Sequence, residues 1–174
     1  MTIHWDSVFE TGLEEVDSQH RVLMDIINRF GDQLGMADAF DWQNVDTVFS
    51  EVFDYAAFHF REEEQMMMVK GIDADYQEQH KQLHRNFMLE VMRMRDELTP
   101  DDLDSASQLF YFLMYWLVHH IMGIDQGLAQ QVRAIDAGLS PKDALAQAIQ
   151  GVDRSAGPLL ESLHGLVDII STRN

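Results

Sequence analysis

The sequence predicts an all-α protein: an antiparallel up-down-up-down four-helix bundle with extra helices at its C-terminal end. Three observations lead there. Four long segments repeat their apolar residues with the 3.6-residue period of a helix, and no stretch sustains the two-residue alternation of a strand. The three prolines, Pro100, Pro141 and Pro158, fall only where a helix should start or stop. The long segments are joined by roughly three to seven residues, which forces antiparallel neighbours.

The residues before Gly12 read as an irregular arm, with Trp5, Val8 and Phe9 available to pack on the domain. The first helix starts at Leu13 and ends near Gly35, its apolar stripe running through positions 13, 16, 20, 23, 24, 27, 30 and 34. Asp41 can cap the second helix, whose stripe is Val45, Val48, Phe49, Val52, Ala56, His59, Glu63 and Met66, with Gly71 as the stop. Asp73 can cap the third, with Tyr76, His80, Leu83, Phe87, Val91, Met94 and Leu98 inward and Thr99-Pro100 closing it. The fourth begins after Asp101 or Asp102 and carries Leu109, Phe112, Leu113, Trp116, Leu117, His120 and Ile121. A continuation or a short fifth helix covers Gln126 to Ala137. Ser140-Pro141-Lys142-Asp143 is a helix start with serine as cap and proline at the first position. A last amphipathic helix is expected from about Pro158 to Ile170, through Leu159, Leu160, Leu163, Leu166, Val167 and Ile170. The domain reading is therefore a bundle over residues 1–137 and a helical extension or connector over 138–174.

Composition removes several functions. With 174 residues and 46% hydrophobic residues, the chain can build one domain with a substantial core. Twelve basic against 30 acidic residues give a formal net charge of −18, which repels nucleic acid and anionic membrane faces. The absence of cysteine excludes disulfides, thiolate metal sites, iron–sulfur clusters and cysteine nucleophiles. No apolar run reaches the roughly 20 residues of a membrane span, and Leu109 to Ile124 is interrupted by His119 and His120. The N-terminal Met1-Thr2-Ile3-His4-Trp5-Asp6 has neither a basic region nor an apolar signal core, so a cytoplasmic location is expected. There is no His-Glu-x-x-His, phosphate-binding glycine loop or nucleophile elbow, so a ligand-binding module is expected rather than an enzyme. Met66, Met67 and Met68 read first as core filling and second as the lining of a route to nearby Glu63.

The eight histidines matter by position. His20, His59, His80 and His120 each fall on the apolar stripe of a different helix. His84 lies one turn beyond His80, Glu63 one turn beyond His59, and Asp125 follows His120 by five residues, so all four inner faces aim imidazoles or carboxylates at the bundle axis. A lone histidine on such a face is usually a hydrogen-bonded core residue. Five imidazoles and two carboxylates together would each cost about 1–3 kcal/mol without partners, and one metal centre satisfies them all. Seven ligands exceed one tetrahedral zinc. They suit two six-coordinate ions, three histidines on one and two on the other, with two bridging carboxylates. An oxo or hydroxo bridge then leaves one position open. The nitrogen-rich shell favours iron, while manganese and cobalt stay open on spacing alone. His119, about 100° around the helix from His120, and His4 in the arm read as structural or surface residues.

These residues carry a resemblance to bacterial hemerythrins. The matching stretches are Asp17-Ser18-Gln19-His20, His59-Phe60-Arg61-Glu62-Glu63, His80-Lys81-Gln82-Leu83-His84 and Trp116-Leu117-Val118-His119-His120-Ile121-Met122-Gly123-Ile124-Asp125, within roughly residues 3 to 135. The resemblance implies two iron ions per chain, oxo- or hydroxo-bridged and bridged by Glu63 and Asp125. It places His80, His84 and His120 on the coordinatively full iron and His20 and His59 on the iron with the open position. Dioxygen is the implied exogenous ligand, bound reversibly, with Trp116 and Leu117 resembling the family's apolar wall around it. A ferritin-like carboxylate diiron bundle is disfavoured, because its Glu-x-x-His pattern occurs only as Glu161-Ser162-Leu163-His164.

Residues beyond about 135 resemble the connector found where a hemerythrin domain is the N-terminal sensory domain of a diguanylate cyclase fusion. This implies an O2- or redox-sensing module with a covalently fused output domain, or a homodimer through the C-terminal helix. No cyclase segment lies within the 174 residues. A stand-alone O2 store or carrier is the alternative, followed by iron handling or defence against peroxide or nitric oxide.

Overall fold

In the computed structural model, residues 2–35, 42–99 and 102–155 are described. Their regular elements, all helical, are a 3-10 turn at Ser7–Phe9, α1 (Glu14–Gly35), α2 (Trp42–Lys70), α3 (Ala74–Glu97) and α4 (Leu103–His119), followed by a π-helical turn (His120–Asp125), α5 (Gln126–Asp136) and α6 (Pro141–Ser155). The expected cap Asp41 and the expected helix over 158–170 lie outside the described residues.

The other caps follow side-chain chemistry. Asp73 accepts from the amides of Asp75 and Tyr76 at the start of α3. Of the two candidates before α4, Asp102 takes the role, accepting from the Ser105 amide at 3.0 Å. Ser140 and Asp143 form a reciprocal pair at α6: the Ser140 hydroxyl accepts the Asp143 amide and donates to the Asp143 carboxylate at 2.6 Å. Gly71, with φ of +66°, turns the chain from α2 to α3 in a conformation that glycine adopts without strain.

The core has two parts. The larger fills the bundle with residues such as Leu23, Ile27, Phe30, Val52, Val91, Leu109 and Leu113. The smaller joins Met67, Ile72, Leu128 and Val132, from the end of α2, the turn after it and α5. The predicted polar stripe lies between them, near the start of α1 and α3 and the end of α2 and α4. α6 lies along α5, with Ala144 and Ala148 buried.

Three inward assignments change. Leu83 is 38% exposed, because His80 and His84 occupy the centre of the α3 stripe and push position 83 to its flank. Met67, not Met66, is fully buried, following His59 and Glu63 at four-residue steps. In the arm, Phe9 is buried and Trp5 half-buried under the Arg21 guanidinium, but Val8 is exposed. Asn28 holds the arm to α1 by a reciprocal pair of hydrogen bonds with the Ile3 backbone, at 2.8 and 2.7 Å.

Urea denaturation separates core from flank. Phe30→Ala should lower stability by about 3–5 kcal/mol, whereas Leu83→Ala should change it by about 0.5 kcal/mol or less. Comparable losses at both positions would contradict this core.

Candidate metal centre

α1 contributes His20, α2 His59 and Glu63, α3 His80 and His84, α4 leads into His120, and the π turn ends on Asp125. All seven side chains are between 0 and 2% exposed. They form two clusters within 4.8 Å, Glu63 with His80, His84 and His120, and Glu63 and Asp125 with His20 and His59. Asp125 spans them: one oxygen lies 3.0 Å from His20 Nε2, the other 3.2 Å from His120 and 3.6 Å from His80. Oε2 of Glu63 lies 3.4–3.7 Å from Nε2 of His59, His80, His84 and His120.

The π turn makes Asp125 part of this set. In an α-helix, positions five apart point about 140° away from each other. In the π turn, hydrogen bonds close on the fifth residue, as the Gln126 amide donates to the Ile121 carbonyl. His120 and Asp125 therefore share a face, which the sequence reading assumed without the local change of helix. The Tyr76 hydroxyl, from α3, donates to the Ile124 carbonyl at 2.8 Å and steadies the residue just before Asp125.

Two side chains without an assigned role in the sequence reading orient the ligands. His59 Nδ1 donates to Gln19 Oε1 at 2.8 Å, and His84 Nδ1 donates to the Glu64 carboxylate at 3.0 Å. Each acceptor places the proton on Nδ1 and leaves the Nε2 lone pair facing inward, the arrangement a metal-binding histidine needs. The one visible sequence signal was adjacency, Gln19 to His20 and Glu64 to Glu63. Asp17 has a third supporting role. Its carboxylate accepts from the Thr11 amide and hydroxyl and the Gly12 amide at 2.7–3.1 Å, fixing the loop that enters α1 one turn before His20.

The electrostatics require a cation. Both oxygens of Glu63 and of Asp125, both nitrogens of His20 and His80, and Nε2 of His59 are buried without a hydrogen-bond partner. Burial lowers His20 and His59 to about 4 and His120 well below its ordinary value, so these three imidazoles are neutral donors. Burial raises Glu63, but its imidazole neighbours outweigh that and hold it well below the usual carboxylate range. Burial drives Asp125 well above that range, and the charge of Glu63 adds to the rise.

A metal–imidazole bond of about 2.1 Å would set neighbouring ligand atoms of an octahedron about 3.0 Å apart. Neighbouring inward atoms lie 3.0–3.7 Å apart, including His84 Nε2 and His120 Nε2 at 3.3 Å with no proton on His84 Nε2 to share, and the atoms of each cluster all fall within 4.8 Å of one another. The donor set thus fits a carboxylate-bridged diiron centre.

Aromatic rings shield one side. Phe60 stacks on His84 at 3.9 Å and Trp116 on His120 at 4.3 Å, while Trp116 packs at a tilt against Phe87 at 3.9 Å. Leu117 is buried in the larger core. Trp116, half-buried, thus stands against the three-histidine cluster. His119 and His4 are exposed.

Comparison with known proteins gives a consistent result. The family model described as "Hemerythrin HHE cation binding domain" matches residues 11–132. The chain is 32% identical over 131 residues to a protein named bacteriohemerythrin from Stenotrophomonas maltophilia, covering 75% of this chain and 81% of that protein. A bacteriohemerythrin from Pseudomonas aeruginosa is also 32% identical, over 74% of this chain and 80% of its own length. A hemerythrin-like protein from Naegleria gruberi is 27% identical, over 70% and 87%.

The metal-free centre should leave a pH signature. Unfolded histidines titrate near 6.5, whereas folded His20 and His59 do so at about 4. Between these values the unfolded chain binds more protons, so their contribution is complete above pH 6.5 and is lost as pH falls toward 4. The slope is up to about 1.4 kcal/mol per pH unit for each histidine. Urea titrations of the metal-free chain between pH 7 and 4 should show a flatter slope in H20L/H59L than in the wild type. An identical slope would mean that neither imidazole is held neutral by burial.

Proposed function

The chain belongs to the hemerythrin family, and from that premise we propose that it binds dioxygen reversibly at two iron ions, as the O2- or redox-sensing module of a bacterial signalling protein of the diguanylate cyclase type. The family's domains are ligand-binding modules without catalytic machinery. In this reading His80, His84 and His120 would hold one iron and His20 and His59 the other, with Glu63 and Asp125 serving both. Iron supplies the electrons and the coordination position for O2. The chain supplies the rest: Gln19 and Glu64 orient two imidazoles, Phe60 and Trp116 keep water from the three-histidine side, and Leu117 belongs to the apolar core that backs it. A cytoplasmic location accords with this role, and no helix among the described residues is long and apolar enough to cross a membrane.

The observation that carries the sensor reading is the position of Asp125. It ends the π turn, α5 begins at the next residue, and α5 packs along α6. A change in metal oxidation or ligation that moves Asp125 therefore acts directly on the extension, biasing two arrangements of it. A stand-alone O2 store is the second reading, favoured by the bacteriohemerythrin matches, which account for 80–81% of those proteins' own lengths.

The O2 assignment predicts two irons per chain and a visible absorption band that appears when O2 reaches the anaerobically reduced protein and disappears on deoxygenation. One zinc per chain, or a full iron complement with no response to O2, would remove it. The sensor assignment predicts that hydrogen exchange over residues 126–174 changes between the reduced and oxidised forms. With reversible O2 binding but unchanged exchange, the store reading prevails.

A further inference from the structure

Every ligand of the centre is buried, so a metal ion must cross protein to reach it. Among the described residues, cavities on two sides reach the ligand set. One, of about 440 Å³, lies between α2 and α3 and includes His84, and its lining contains Arg61 and Arg85. The other, of about 240 Å³, lies between the start of α1 and the end of α2. Its lining includes Glu14, Glu15 and Glu62, the half-buried Met66 and Gln19, and it reaches Glu63 itself. The lining toward His84 thus carries two guanidinium groups and the carboxylate of Glu64, whereas the charged groups toward Glu63 are carboxylates alone.

Three acidic groups alone would carry little meaning, since Glu14 and Glu15 also suit the first turn of α1 through its dipole. Two further facts separate this cavity from an ordinary acidic helix end. Glu62 lies deep in α2, many turns from the N-terminus of its own helix, so it is not there as a first-turn residue. Glu63, 1% exposed and lining the same cavity, has both carboxylate oxygens without a hydrogen-bond partner. The neighbouring charge is modest: Arg61 lies 3.5 Å from Glu62, in an exposed pair that water screens.

We propose that this cavity is the way in for the divalent cations that fill the centre. Glu14, Glu15 and Glu62 collect a hydrated divalent cation from solution, and Glu63 takes it at the inner end. The Met66 thioether sits beside this path as a soft, adaptable wall. Gln19 lies where the path meets His59, which it holds with Nε2 turned inward. The other opening, with two guanidinium groups beside the single carboxylate of Glu64, attracts the same cation less. The inference rests on the metal centre and is independent of whether the chain senses or stores O2.

The test follows Co2+ uptake by the metal-free full-length chain, read by stopped-flow visible absorption at low and high salt. E14Q/E15Q/E62Q should load on the order of tenfold more slowly at low salt and lose most of the salt dependence, yet reach the same two Co2+ per chain. The charge-keeping E14D/E15D/E62D should load at the wild-type rate, and R61Q/R85Q should not slow loading. If the triple glutamine variant does not fold, E62Q alone carries the test, because it leaves the α1 N-terminus intact. Wild-type loading rates in E14Q/E15Q/E62Q and in E62Q, or slower loading in R61Q/R85Q, would overturn the proposal. A wild-type chain that takes up fewer than two Co2+ would overturn the centre and the path with it.

Discussion

Burying Glu63 and Asp125 beside five imidazoles is the constraint on which the rest of the structure depends. Two carboxylates at 1% exposure repel each other and have lost their water, and the shifts of the pair in opposite directions show the conflict. A bridging metal pair relieves it, because positive charge between the carboxylates replaces both the missing water and the missing proton. The same constraint accounts for the division of the core. The larger cluster shuts water out from the bundle side, and the smaller one, built on Met67, Ile72, Leu128 and Val132, shuts it out from the end. α5 is thus needed for the site although it supplies no ligand of its own.

The π turn ties this closure to the chemistry. A turn hydrogen-bonded five residues back brings His120 and Asp125 onto one face and then returns the chain to a regular helix whose inner side, with Leu128 and Val132, seals the end. Tyr76 reaches across from α3 to hold the turn by the Ile124 carbonyl, and its ring packs edge-on against His80 at 5.7 Å. Ligand, turn and lid therefore form one connected unit.

The apolar periodicity made the four bundle helices legible, and the histidine positions on it made the metal centre legible, because a buried polar residue on a stripe is conspicuous. The caps at Asp73, Asp102 and Ser140 were readable for a similar reason, since their chemistry is local. The π turn was not. A single extra residue barely disturbs a periodicity averaged over several turns, and the i+5 spacing of Asp125 was read as α-helical. Gln19 and Glu64 were hidden differently. They sit beside the stripe rather than on it, where a glutamine or glutamate looks like ordinary surface, and only the partner across the bundle gives them meaning. Leu83 and Met66 show the reverse error, apolar residues one step off the stripe that periodicity counted inward.

The two supporting acceptors differ in a way that bears on the centre's asymmetry. Glu64 gives His84 a charged partner, and a carboxylate draws the Nδ1 proton toward itself and enriches Nε2 as a donor. Gln19 gives His59 a neutral amide oxygen, which fixes the tautomer with less enrichment. The stronger donation thus falls on the three-histidine cluster and the weaker on the two-histidine cluster. Charge is arranged in the same sense. Glu64 is partly exposed at an opening that also carries Arg61 and Arg85, so its charge is balanced outside the cavity. Gln19 is buried beside Glu63, where another carboxylate would add to a negative charge the cavity already holds at its limit. An amide at position 19 and a carboxylate at position 64 therefore follow from one requirement, that a supporting carboxylate stand only where solvent and neighbouring guanidinium groups stabilise its charge.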